Sequence, residues 1–260
     1  MDKDLSLCLL ADGTASMGSA LSAIKNSFGV IRATAILCKV KIYCAVYRDF
    51  DKYSGGGYEK GGVFISNELK SSQEFDSFCE KFLSTPKGGA SYEEAAVTAF
   101  NYLLHKLPKN SMILHFTDAT AHRMEEMSTE AVAERKFCKQ DHHIKVESGE
   151  TIVTKFEPDW KILSKVIKSK FRVVTISDPS DSDADQSFMP IKFRTVSKKV
   201  MWPEFGKFLK LDDYSEEKIT QAAAVSFMAL IGNGSKKMQK NIELEFQHHV
   251  ATPRWGGTAT

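Results

Sequence analysis

The stretch Leu5-Ser6-Leu7-Cys8-Leu9-Leu10-Ala11-Asp12-Gly13-Thr14-Ala15-Ser16-Met17 decides the fold. Leu5 to Ala11 is an apolar run that stops at Asp-Gly-Thr. It has the character of a strand buried on both faces, as in a parallel sheet covered by helices. From Met17 to Cys38, Leu21, Ile24, Phe28, Ile31 and Ala35 recur at spacings of three and four, which is helical. A buried strand, a tight polar loop and an amphipathic helix therefore follow one another at the start of the chain.

The same alternation continues outward. Lys39 to Tyr47 is β-branched and aromatic and predicts a second strand. Gly55-Gly56-Gly57 and Gly61-Gly62 flank short pieces suited to a hairpin or an edge strand. Ser71 to Leu83 and Tyr92 to Leu107 predict helices, and Ser111 to Thr117 a buried strand ending at Asp118. Residues 119–156 read as polar and irregular, too long for an ordinary connection, and so as an insertion. Pro158 to Lys170 predicts a helix and Phe171 to Ile176 a strand, followed by an acidic loop from Asp178 to Gln186. Trp202 to Leu211, opened by Pro203, and Ser215 to Ile231 read as closing helices, with a weak strand pattern at Ile242 to Phe246. Strands alternating with helices imply an α/β, doubly wound, mainly parallel sheet flanked by helices. The expected organisation is one domain over residues 1–232 and an extension over 233–260.

Composition narrows the class. The 260 residues hold 35 basic against 33 acidic side chains, a net charge of +2, which gives no footing for nucleic-acid binding. A chain of this size hides about 73% of its surface on folding, enough for a core without staples. Five cysteines on apolar segments suit thiols used as small hydrophobes in a reducing compartment. Met1-Asp2-Lys3-Asp4 lacks a basic leader region, and no apolar run approaches the length of a membrane span. The expectation is a cytoplasmic protein without membrane partners.

Ligands in α/β sheets bind beyond the carboxyl ends of the strands. Three of the four strong strands end there in Asp12, Asp118 and Asp178, and the fourth runs out through Tyr47-Arg48-Asp49. Asp12, Thr14 and Ser16 set a carboxylate and two hydroxyls at alternate positions of a tight loop. Such a loop suits a hard cation that takes oxygen ligands and keeps an outside ligand. The following helix adds its positive N-terminus, which Ser16 is placed to cap.

Asp12-x-Thr14-x-Ser16 resembles the first loop of the metal-ion-dependent adhesion site of von Willebrand factor A domains. Val46-Tyr47-Arg48-Asp49, Gly88-Gly89-Ala90-Ser91-Tyr92-Glu93-Glu94-Ala95 and Phe116-Thr117-Asp118-Ala119 follow in order. They resemble the corresponding blocks of the alpha-kinase-associated, intracellular type of these domains. The resemblance implies a metal set of Asp12, Thr14, Ser16, Ser91 and Asp118. Mg²⁺ (or Mn²⁺ or Ca²⁺) would be held there and completed by a protein partner's Asp or Glu. The family usually places a threonine in the second loop, where this chain has Ala90-Ser91 and only Ser91 offers a hydroxyl. Glu94 reads instead as a first-turn partner of the helix dipole, and Arg48-Asp49 as a local ion pair bracing the rim.

Rival constellations are weaker. Leu10 stands where a haloacid-dehalogenase-type loop has its nucleophilic aspartate, which closes the aspartyl-phosphate route. Cys138, His142, His143 and His122 offer zinc-type ligands without zinc spacing. Asp181-x-Asp183-x-Asp185 starts like a calcium loop but lacks the glycine and the closing glutamate. P-loop and dinucleotide fingerprints are absent. Sequence reading favours a non-enzymatic, metal-dependent interaction module. It leaves open a metal-dependent hydrolase or phosphotransferase on the same rim, and a scaffold with a vestigial metal site.

Overall fold

The computed structural model describes residues 5–37, 39–89, 93–146, 148–178, 196–213 and 215–231. In chain order the elements are β1 (Ser6–Asp12), α1 (Gly18–Leu37), β2 (Lys41–Tyr47), α2 (Gly57–Lys60), β3 (Phe64–Ile65), α3 (Ser72–Leu83), α4 (Ala96–Lys106) and β4 (Met112–Thr117). They continue through α5 (Thr129–Cys138), β5 (His142–Lys145), β6 (Thr151–Thr154), α6 (Trp160–Lys170), β7 (Arg172–Ser177), α7 (Lys198–Phe205), β8 (Lys207–Lys210) and α8 (Glu216–Ile231).

Every residue of β1 is buried, because the strand lies at the centre of a six-stranded sheet with the order β3-β2-β1-β4-β7-β8. All pairings are parallel except β2 with β3, the short antiparallel edge foreshadowed by the glycine-flanked pieces. Alternate side chains of each strand feed two cores, as a two-sided sheet requires. Leu7, Leu9 and Ala11 join Ile42, Cys44, Leu114 and Phe116 beneath α1, α3 and α8. Cys8 and Leu10 join Tyr43, Ala45 and Ile113 beneath α4, α6 and α7. The fold is a Rossmann-like, doubly wound α/β sheet.

The winding reverses between β1 and β4. From β1 the chain moves out to β2 and β3; from β4 it moves the opposite way to β7 and β8. At such a switch point the loops leaving the two central strands diverge to opposite faces and open a crevice. Asp12 ends β1 and Asp118 follows β4 on the neighbouring strand, with Ala11 paired to Phe116.

Two segments differ from the sequence reading. Residues 119–156 are not irregular: they hold α5 and the β5–β6 hairpin. Their apolar residues are sparse because α5 buries one narrow side; Ala131, Phe137 and Cys138 alternate with charged groups. The segment expected as one helix from Trp202 to Leu211 divides at Gly206. Its first half ends α7, which starts earlier on a Ser197 cap, and the rest is β8. Gly206 has ordinary extended backbone, and what fixes it is space. A Cβ there would lie 2.3 Å from the Val173 carbonyl oxygen, so only glycine brings the chain onto β7. Strand Ile242–Phe246, the 233–260 extension and the acidic triplet at 181–185 lie outside the described residues. Among the described residues no helix is long and apolar enough to cross a membrane.

Gly206→Ala is expected to push β8 off β7 and to cost about 2 kcal/mol, the usual scale of an overpacked contact. Urea unfolding of the variant beside the parent chain measures this, and an unchanged midpoint would refute the close-approach account.

Candidate metal centre

The loop after β1 is fixed by its own carboxylate. Asp12 is fully buried, and its Oδ1 accepts hydrogen bonds from the Thr14 amide (3.0 Å) and the Thr14 hydroxyl (2.7 Å). Its Oδ2 accepts from the Thr117 hydroxyl at 3.0 Å, across the β1–β4 pair. Thr14 Oγ1 lies 3.1 Å from Ser16 Oγ, so the two hydroxyls form a ladder leading outward from Asp12. Gly13 lets this loop close over the neighbouring strand: its amide bonds the Tyr47 carbonyl at 2.8 Å, and a Cβ would sit 2.5 Å from the Val46 side chain.

Asp118 reaches the same place from β4. Burial opposes ionisation of its carboxyl, as does the Asp178 charge, while the Ser16 hydroxyl and the Lys198 charge favour it, and the net shift is upward. Asp118 Oδ1 is buried and, among the described residues, has no hydrogen-bond donor. Burial, followed by the charge of Asp118, lifts Asp12 to about 7. Four of the five sequence-predicted residues, Asp12, Thr14, Ser16 and Asp118, are thus brought together; Ser91 lies outside the described residues. Thr14 and Asp12 form the buried floor, and Ala15 and Ser16 are exposed, so the site opens to solvent on one side.

Other residues complete it. Glu94 is not in the first turn of a helix, because α4 begins at Ala96. Its backbone is bridged to the loop after β4, through Glu94 amide to Thr120 carbonyl (2.8 Å) and His122 amide to Glu94 carbonyl (3.2 Å). Its carboxyl is turned inward. Burial, then Asp12, Asp49, Asp118 and Asp51, push it well above the usual carboxylate range, and Glu94 Oε2 has no donor. Gly89 sits at φ +89°, a conformation that favours glycine, and a Cβ there would lie 3.1 Å from both Glu94 Oε1 and the Thr14 Cβ. Lys198, buried at the start of α7, donates to the Asp118 carbonyl at 3.0 Å and pairs with Asp178. Thr117 and Glu94 lay within the quoted blocks without a distinguishing pattern. Lys198 is eighty residues from Asp118 and carries no local signal.

The donor set fits a hard divalent cation. Two repelling carboxylates, two hydroxyls and an unserved carboxylate oxygen are oxygen ligands in need of positive charge. Among the described residues no group of three or more His, Cys, Asp or Glu forms a metal site, so hydroxyls would have to share the coordination here. The zinc-type residues do not converge: His142 stacks on Phe156 (3.9 Å between centroids), and Cys138 is a buried free thiol.

Beside the crevice lies a second charged group. His122 is buried between Glu134 (2.8 Å to Nδ1) and Asp49 (3.4 Å to Nε2). Burial pulls its imidazolium down. The hydrogen bond and charge of Glu134, with Asp49 and Glu126 behind, outweigh that and lift it to about 9. The expected Arg48–Asp49 brace takes another form. Asp49 faces His122, while the Arg48 guanidinium donates to the Phe82 (3.0 Å) and Thr85 (2.9 Å) carbonyls.

No family model matches the sequence, and no curated protein matches it. Solved structures do resemble the fold. The pilus adhesin SpaC from Lactobacillus rhamnosus GG, in its open conformation, aligns with a TM-score of 0.60 at 12% identity, over 89% of this chain and 30% of the adhesin. Proximal thread matrix protein 1 from the mussel byssus aligns with a TM-score of 0.51 at 9% identity, over 88% of this chain and 48% of that one. This chain therefore spans less than half of either protein, and the likeness is one of fold.

His122→Gln is expected to cost about 3 kcal/mol, because it leaves two buried carboxylates without their cation. The pH dependence has a fixed sign. A folded-state pKa raised from 6.5 to about 9 stabilises fully below pH 6.5 and loses its effect as pH rises through about 9. Denaturant unfolding across that range should show the gap between parent and variant closing; a constant gap would show that His122 is not the charged member.

Proposed function

We propose that this chain is a von Willebrand factor A-like interaction module rather than an enzyme. Asp12, Thr14, Ser16 and Asp118, with Ser91, would hold Mg²⁺ (or Mn²⁺ or Ca²⁺), and an Asp or Glu of a protein partner would complete the coordination. The observation that carries this reading is the buried, donorless Asp118 Oδ1 beside the Thr14–Ser16 hydroxyl ladder, at a crevice open to solvent. When bound, the cation supplies a positive charge that a carboxylate can ligate. Asp12 orients the loop through Thr14, Thr117 pins Asp12 to β4, and Lys198 holds Asp178 and the Asp118 carbonyl.

Among the described residues the hydrolase reading finds no histidine or cysteine suited to act as its base or nucleophile. His115 hydrogen-bonds Tyr47 (2.9 Å) deep in the sheet, and burial lowers it to about 3. The buried thiols of Cys8 and Cys138 are pushed up by burial, away from thiolate character. The adhesin-like neighbours agree with an interaction role by fold alone.

Mg²⁺ at about a hundred times its dissociation constant should stabilise the protein by about 2.7 kcal/mol, read as a rise in Tm. Ser16→Ala should weaken that effect and Asp12→Ala should abolish it, together with metal-dependent partner binding. A parent chain with no response to Mg²⁺, Mn²⁺ or Ca²⁺ would overturn the proposal.

A further inference from the structure

An open cleft of about 690 Å³ begins at the exposed edge of the candidate metal loop. Ala15 lies at its near end, Lys52 and Tyr53 line one side over the buried Asp51, and Pro86, Lys87, Gly88 and Gly89 line the other. We infer that this cleft receives an acidic peptide segment of a protein partner, whose neighbouring acidic side chains are read by Lys52 and Lys87. The inference deepens the metal-anchor proposal and rests on it.

The cleft is built to a fixed register with the metal loop. The Lys87 amide bonds the Gly13 carbonyl and the Ala15 amide bonds the Gly88 carbonyl, each at 3.1 Å, so one wall and the metal loop form a continuous ladder. The opposite wall is held from beneath. Buried Asp51 accepts from the Tyr53 amide at 2.7 Å, and its carbonyl accepts from the Ser54 hydroxyl at 2.9 Å. The walls meet at the floor, where a Cβ on Gly88 would lie 2.8 Å from Asp51 Oδ2. Arg48 ties the same two loops together from behind, donating to Thr85 on one side and to Ser54 on the other.

What this frame presents is unlike the crevice next to it. The crevice is acidic, through Asp12, Glu94, Asp118 and Asp178. The cleft shows two exposed ammonium groups and a tyrosine that is 64% exposed. Lys52 lies over the Tyr53 ring, 4.7 Å from its centroid, and neither lysine is paired with a carboxylate among the described residues. A large exposed aromatic beside unpaired cations, on a rigid wall, is a binding feature more than a solvated face. A partner carboxylate on a cation held by Ser16 and Asp118 would carry its chain neighbours past Ala15 into this cleft. There further carboxylates meet Lys52 and Lys87, and aliphatic stems meet the Tyr53 ring. A basic flank would meet two like charges, so the cleft selects as well as attracts.

The test uses the full chain and an array of peptides, each with a central glutamate flanked by aspartate, lysine or serine runs, in Mg²⁺ and in chelator. The aspartate-flanked set should be retained about tenfold over the serine-flanked set, the scale of two exposed charge contacts. The double variant Lys52→Glu/Lys87→Glu should lose that preference and turn toward lysine flanks. Its Mg²⁺-induced Tm shift should remain, because neither lysine is in the metal set. Mg²⁺-dependent retention that ignores the flank, in parent and double variant alike, overturns the cleft and leaves the metal anchor standing. Retention of aspartate flanks that survives chelator but not the double variant supports the cleft and overturns the anchor. Absence of glutamate-peptide retention in Mg²⁺ overturns both.

Discussion

The hydrogen bond from Thr117 to Asp12 joins residues 105 positions apart, and the crevice depends on it. It exists because β1 and β4 are parallel neighbours at the point where the sheet reverses its winding. Side-by-side carboxyl ends put a carboxylate from each strand into one small, largely buried volume, where solvent screens their charges poorly. Asp12 answers that repulsion locally by accepting two bonds from Thr14. Asp118 answers it incompletely, with one oxygen unserved. A buried acidic pair left in this condition is costly unless a proton or a cation shares it, which is the physical ground for the metal-centre proposal.

The surroundings distribute charge in alternating zones. Lys198 pairs with Asp178 on one side of the crevice, and on the other His122 is shared between Asp49 and Glu134. Glu94 lies between these zones, and its buried carboxyl feels Asp12, Asp49, Asp118 and Asp51 together. Lys52 and Lys87 add positive charge at the solvent edge. The whole-chain charge of +2 averages these zones away.

Much of the fold was legible because parallel-sheet strands are buried on both faces and therefore read as plain apolar runs. β1, β2, β4 and β7 were visible on that ground, and α1, α3, α4, α6 and α8 through their helical spacing. β8 was not, because four residues with lysine at each end have too little pattern to separate from the preceding helix. Its signal was Gly206, whose purpose appears only once the Val173 carbonyl is seen beside it. Residues 119–156 read as irregular because α5 covers little apolar surface and turns Glu130 and Glu134 inward, Glu134 onto His122.

The sequence by itself determined the alternation of elements, the loop of Asp12, Thr14 and Ser16, and the acidic strand ends, since each is written in contiguous residues. Only the tertiary structure decided which strand ends adjoin, that Glu94 turns inward rather than capping a helix, and that Lys198 stands behind Asp118. It alone placed Lys52 and Lys87 around one cleft beside the loop of Asp12, Thr14 and Ser16. Those relations depend on strand order and on backbone bonds between distant loops, such as Lys87 to Gly13, and one-dimensional spacing does not encode them.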